Sequence, residues 1–523
     1  MIKVKAENNY SKPNFRGVLD TTLTKGLAIL DTKPMINASV IDVFAMDIPR
    51  PIVEYRERNK YAAAEMAFRE FTGTFIACFS AGLFGQLINK AASKFVQPKV
   101  KVNNNSWASN NILDVLNNVW NTSNKTAKGY VENLLSSLSG FSKDKNINWN
   151  EINWDKIRWY DKDAWQKFKW GNKEFENIHT SLKSHQSISE GLTRLITDKT
   201  VSGNDSKNLL EIITHRIINA TLSENNITVK NGGKSVTSTI HNVLRDTIDA
   251  GQNIFNSSDT ETILKKLKAL NSIKTFGAIS LSIGLALTNQ ALNRYITKKR
   301  TGTAAFVGNM DYLSDLNTQN KREDKKKNLN LYKLLAGSGF ILMLVKVMNI
   351  NSLKDLVKRL ELTGPATSGH AIKVVFGALV LGRILASKDK TELRETVFRD
   401  YMGFLNWLVL GGFVAKGVAQ ILDPKKENLF NISKPGKGIS HWLKNISLKT
   451  HAEITAQGGK LVKENIRKLN IAHISGLAYS LLMLGIILPK LNIAMTKKNQ
   501  TKTKPPQAVP LDINKYMPVY FKK

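Results

Sequence analysis

FTGTFIACFSAGLFGQLIN, residues 71–89, runs for nineteen positions without an Asp, Glu, Lys or Arg. A helix that crosses a bilayer needs about 20 mostly apolar residues. Two further windows have the same character: TFGAISLSIGLALTNQALN at 275–293 and LNIAHISGLAYSLLMLGIILP at 469–489. YMGFLNWLVLGGFVA at 401–415 is shorter and continues past Lys416 to Leu422. Two marginal windows complete the set: Leu334–Ile350, which contains Lys346, and Val374–Ala386, which contains Arg383. None is rich in proline, so each can be helical. The expected fold is mainly α: a polytopic helical membrane protein with about four to six apolar helices.

Small residues recur four apart in these windows, as Ser280/Gly284, Ala378/Gly382 and Gly476/Ser480. Small residues on one helical face let backbones approach closely, a common packing device in lipid. The competing reading is a large soluble bundle with buried helices. There each interior glycine costs about 1 kcal/mol relative to Ala, which weighs against it.

The charge supports the membrane reading. The chain has 523 residues, 76 of them basic and 42 acidic, for a net charge of +34. Residues 1–88 carry net +2, residues 89–274 net +8 and residues 275–523 net +24. The abundance of Lys, Asn and Ile, all with AT-rich codons, accounts for part of the total. It does not explain why the excess sits in the segment holding five of the six windows. Anionic lipid headgroups are therefore the expected counter-charge, with nucleic acid ranked below them. Lys298, Lys299, Arg300, Lys325, Lys326 and Lys327 are the candidate lipid-phosphate contacts.

The chain opens on MIKVKAENNYSKPN, which is polar and has no apolar stretch behind it. The basic loop at 293–333, the 387–400 loop and the C-terminal tail fall on one side if all six windows span. Positively charged loops favour the cytoplasm, so both termini are expected there. The ten basic residues of 423–468 oppose this assignment, but long loops count for less.

The expected organisation is a disordered 1–16, cytoplasmic amphipathic helices over 17–70 and the first membrane helix at 71–89. An inserted polar domain at 90–274 is expected to be mostly helical and open to a protein partner. A helical membrane region at 275–494 and a disordered basic tail at 495–523 follow. Ile48–Pro51, IPRP, should stop a helix. Asn59–Glu70 should run straight into the first window as one helix. Arg50, Glu54, Arg56, Glu57 and Arg58 just before it read as a solvated ion-pair face. Residues 227–240, ITVKNGGKSVTSTI, predict a β-hairpin around Asn231-Gly232-Gly233. Ser258 with Glu261 forms a capping box for a helix ending near Leu270.

Seven of the nine tryptophans lie between Trp107 and Trp170. Trp149, Trp154, Trp159, Trp165 and Trp170 are spaced by five or six, which matches neither a helix nor a strand face. They are candidate interface aromatics, able to stack on single-stranded bases or sit at headgroup level. Packing together as a small aromatic core ranks first.

The search for chemistry finds no catalytic, cofactor or metal motif, so the sequence leans away from an enzyme. GGKS at 232–235 fails as a phosphate loop, because Thr228 stands where that motif needs Gly. The eight histidines lack metal-ligand spacing. Cys78 lies inside an apolar window, where a buried thiol is inert. Lys346, Arg383, Lys416 and His473 are the candidate intramembrane polar residues, since an ionisable group there costs about 2.5–3.5 kcal/mol. Snorkelling to the headgroups is the plainer reading of the long side chains. The expected function is a non-catalytic membrane protein binding anionic lipid, with a transporter or channel, or a soluble nucleic-acid-binding protein, as alternatives.

Overall fold

The computed structural model describes residues 22–96, 107–140, 149–158, 187–198, 203–225, 227–255, 257, 259–301, 323–388, 390–433, 436–458 and 461–500. The expected disorder at 1–16, the cap Ser258, and Trp159, Trp165 and Trp170 lie outside them. The described chain is mainly helical, with two small sheets. It divides into two compact units. One comprises Met1–Thr32, Asn89–Lys274 and Lys416–His473; the other comprises Lys33–Ile88, Thr275–Ala415 and Ile474–Lys523.

The first unit has a conventional hydrophobic core. Helix Asn110–Asn121 buries Ile112, Leu113, Leu116, Val119 and Trp120, apolar residues at helical spacing. Helices Ala127–Ser136, Ile188–Thr197, Gly203–Thr221 and Ile240–Ala250 contribute to the same core. Ser109, Thr126, Ser187 and Thr239 each accept a backbone N–H at a helix start, replacing bonds that the first turn lacks. Strands β1 (Leu138–Ser139), β2 (Ile227–Asn231) and β3 (Lys234–Ser238) form an antiparallel sheet in that order. The expected hairpin is therefore present. Asn231 pairs with Lys234, and Gly232 and Gly233 take positive φ between them, the geometry of a tight hairpin turn. Strands β4 (Phe430–Ile432) and β5 (Ile446–Leu448) pair over a smaller cluster around Phe430, Ile454 and Leu469.

Among the described residues, six helices are long and apolar enough to cross a membrane: Lys60–Ala92, Thr260–Arg300, Asn328–Val347, Gly369–Ala386, Lys390–Leu422 and Val462–Lys498. They are called the first to sixth long helices below. The first starts at its cap Asn59 and runs unbroken through its apolar window, as expected. The second does not stop near Leu270 but continues to Thr301. Nothing between the two expected elements breaks a helix, and the polar run simply passes into the apolar one. The sixth reaches Gln500, so the first residues of the expected tail are helical.

IPRP does not stop its helix either. Helix Pro34–Asp42 passes into a π turn, Val43–Asp47, in which Ile48 donates to Val43 O at 3.1 Å. Pro49 then opens the helix Pro49–Glu57, where a missing N–H leaves no partner unsatisfied.

Glycines set two of the close helix contacts in the second unit. A Cβ on Gly382 would meet Leu287 O at 2.8 Å, and one on Gly476 would meet Gly411 O at 2.6 Å. These two small-residue pairs are therefore packing surfaces. Gly284 faces open space.

Candidate functional site

The second unit buries an ionic layer. Arg50, Glu54, Arg69, Glu70, Arg383, Glu395, Arg399 and Asp400 are each 6% exposed or less. Arg58 forks onto Glu395, with Nη1–Oε1 and Nη2–Oε2 both at 2.9 Å, and also contacts Glu54 at 3.2 Å. Glu395 accepts a further bond from Thr496 Oγ1 at 3.0 Å. Arg50 pairs with Glu70 at 3.3 Å, and Arg69 with Glu70 at 3.5 Å. Arg383 and Arg399 share Asp400 at 3.1 and 3.0 Å. Arg294 pairs with Glu392. The expected solvated face is thus corrected for Arg50, Glu54 and Arg58. Their partners arrive from 395 and from 70, and pairing is what makes burial of such charges tolerable.

The placement of these residues follows a rule. Arg69 and Glu70 precede the first apolar window, Arg294 follows the second, and Lys333 precedes the third. Arg383 lies near the end of the fourth, Arg399 and Asp400 precede the fifth, and Asn492 follows the sixth. Start and end alternate, yet the residues meet: Lys333 donates to Leu385 O at 2.8 Å and Asn492 to Glu395 O at 3.4 Å. Successive long helices therefore run in opposite directions, and the layer marks one end of all six.

Glu65, Arg69, Gln290, Arg383, Glu392, Glu395, Thr396 and Arg399 line a small cavity of about 10 Å³. That is room for about one water. Arg383 Nε and Gln290 Oε1 lack a protein partner and could be met by such a molecule. Six arginines face at least six carboxylates here, so the layer holds no strong excess of either sign. What it does chemically is clamp helix ends together by charge-assisted hydrogen bonds.

A second polar cluster belongs to the first unit. His451 Nδ1 lies 2.5 Å from Asp31 Oδ2, and its Nε2 lies 2.7 Å from Asn470 Oδ1. Asn470 donates its amide to Thr24 at 2.9 Å, which fixes Oδ1 as the acceptor toward His451. Both ring nitrogens of His451 thus face acceptors, the pattern of an imidazolium. Its pKa reflects two opposed effects: burial lowers it, and the hydrogen bond and charge of Asp31 raise it further, leaving it above the ordinary value.

Of the candidate intramembrane residues, Arg383 joins the ionic layer. Lys346 is exposed near the end of the third long helix. Lys416 is buried, donates to the Trp442 carbonyl and lies 4.0 Å from the centre of that ring. His473 Nε2 lies 3.2 Å from Asp31 Oδ1. The structure does not bring these four together. Lys298, Lys299 and Arg300 are exposed in the last turn of the second long helix. Lys325–Lys327 lie on the helix Glu323–Val347, their side chains outside the described set. Trp149 and Trp154 are buried in the core of the first unit. The ionic layer was missed because its signal is relational. Most windows carry charge at both flanks, and only the flank whose residues join the layer alternates along the chain, which no single window shows. Among the described residues no group of three His, Cys, Asp or Glu could hold a metal. Comparison of the chain with known protein families, curated proteins and solved structures finds no match.

Proposed function

We propose that this chain is a multi-pass membrane protein without catalysis, which contacts anionic lipid through its basic segments and offers a folded polar unit to a protein partner. The observation that carries the reading is an inverted distribution of polarity in the second unit. Its interior holds Arg69, Glu70, Arg383 and Asp400, while Phe71, Phe75, Leu335 and Leu342 are more than half exposed. Only 11% of the apolar window of the third long helix is buried. Continuous apolar surface of this kind is an aggregation liability in water and is matched by lipid tails.

The ionic layer supports the assignment of sides. The exposed Lys298, Lys299 and Arg300 follow Arg294 at the same end of the second long helix. Lys388, between the fourth and fifth long helices, lies at that same end. By the positive-inside rule that end faces the cytoplasm, together with residues 501–523. A transport reading draws on the buried charges. The balance of sign and the single-water cavity favour a clamp over a path.

The test is extraction of membranes containing the full chain with alkaline carbonate, followed by flotation. Retention in the membrane pellet is expected. Release into the supernatant would remove the basis of the proposal.

A further inference from the structure

We infer that Pro34–Glu54 is a seventh crossing segment, hidden from the sequence, which puts residues 1–32 on the side of the membrane opposite residues 501–523. The inference rests on the membrane reading above.

The first line of argument is register within the second unit. Asp42 lies beside Cys78, Thr74 donates to Asp47 at 2.9 Å, and Arg50 pairs with Glu70. As the number rises on one segment it falls on the other, so the segment runs antiparallel to the first long helix. It spans the depth of the apolar window rather than lying at its end. Trp407 Nε1, from the middle of the fifth window, donates to Ala38 O at 3.2 Å. Pro34 lies against Gly369, the first residue of the fourth long helix, and Arg50 reaches the ionic layer at the other end. At 1.5 Å per residue, the 21 positions of Pro34–Glu54 cover roughly 30 Å, about the thickness of a hydrocarbon core.

The long helices are shaped to receive it. Three of them contain a π turn: Phe75–Ser80, Asn406–Leu410 and Met483–Ile487. Each faces this segment. Cys78 meets Asp42, Trp407 meets Ala38, and Leu484 O accepts Arg50 Nε at 3.0 Å. A π turn displaces the regular i to i−4 ladder and frees backbone groups for other partners.

The second line is topological and comes from the first unit alone. Asp31 pairs with His451, and Thr24 with Asn470. Residues 423–461 lie between the fifth and sixth long helices. With six crossings, residues before the first helix and residues after the fifth lie on opposite sides, and these bonds could not form. One more crossing between Thr32 and Lys60 removes the conflict. It also replaces the expectation that both ends of the chain share a side.

The experiment uses the full chain and the impermeant labelling of introduced thiols in sealed vesicles of known orientation. Its only native cysteine, Cys78, is buried, and the unsubstituted chain is the blank. Ser11→Cys, Lys425→Cys and Lys523→Cys are each labelled with a membrane-impermeant maleimide, before and after detergent. The expected result is that positions 11 and 425 react from one face and 523 from the other. Position 11 reacting with 523, in protein that resists carbonate, would overturn the seventh crossing and leave the membrane reading standing. All three reacting in sealed vesicles, with release by carbonate, would overturn the membrane reading itself and this inference with it.

Discussion

Arg58 and Glu395 are 337 positions apart and meet in a two-pronged fork, both N–O distances 2.9 Å, with both side chains almost fully buried. A buried pair is worth little against apolar isosteres, but removing one partner strands the other charge, at about 3–5 kcal/mol. Arg58→Met should therefore lower the thermal stability of the detergent-solubilised protein strongly. Arg58→Met with Glu395→Met should recover much of the loss. A double variant that loses the sum of what Arg58→Met and Glu395→Met lose singly, measured by thermal aggregation, would show that the fork is not coupled.

Gly382 and Gly284 each complete a small-residue pair four apart and should respond in opposite ways. A side chain at 382 collides with the Leu287 backbone, whereas one at 284 meets nothing within 4 Å. Overpacking costs about 1–3 kcal/mol or more where backbone must move. Gly382→Leu should lower the melting temperature in detergent by several degrees. Gly284→Ala should raise it slightly, since Ala is favoured over Gly in a helix by about 1 kcal/mol.

The windows were legible because a run of nineteen uncharged residues has few other uses. Pro34–Ile48 was not, because Asp42 and Asp47 interrupt it and two prolines follow. Local rules assign such a stretch to a water-facing turn. The π turn at Val43–Asp47 is what lets the helix absorb Pro49, and no local pattern announces it. Arg50, Glu54 and Arg58 failed for a related reason. A mixed-sign cluster faces water by default, and what buries it here are carboxylates at 70 and 395. The tryptophan spacing of five fitted no regular face. Trp149 and Trp154 sit on a short 3₁₀ helix and a following turn, where helical or strand periodicity does not apply.

His451 gives the first unit a pH dependence with a definite sign. The groups facing it are Asp31, Asn470, Glu224 and the ring of His473, 5.7 Å away. Its folded pKa lies above the ordinary value, so the protonated form stabilises the fold. That contribution is complete below about pH 6.5 and is lost as pH rises through the raised folded value. Helix Thr22–Thr32, which carries Asp31, should exchange its amide hydrogens faster at pH 9 than at pH 6, after correction for intrinsic rates. His451→Gln should remove most of that difference. An unchanged pH profile in the variant would assign the effect elsewhere.

Lys298, Lys299 and Arg300 test the lipid contact separately from membrane insertion. They are exposed one to two turns beyond Arg294, whose pairing with Glu392 holds that helix end in the ionic layer. All three side chains are exposed, and a basic residue near an anionic surface is worth about 1 kcal/mol. Replacing all three by Gln should lower the ratio of anionic to zwitterionic lipid that copurifies in mild detergent by several-fold, with no change in carbonate resistance. Lys265→Gln with Lys266→Gln, at exposed positions near the other end of the same helix, should leave the ratio unchanged. The interaction being electrostatic, 0.5 M salt should reproduce the triple substitution in the parent protein, because about 4 Å of screening length remains at that strength. Equal lipid ratios in all three preparations would mean that these side chains stay in water and that anionic lipid is held, if at all, by other basic segments.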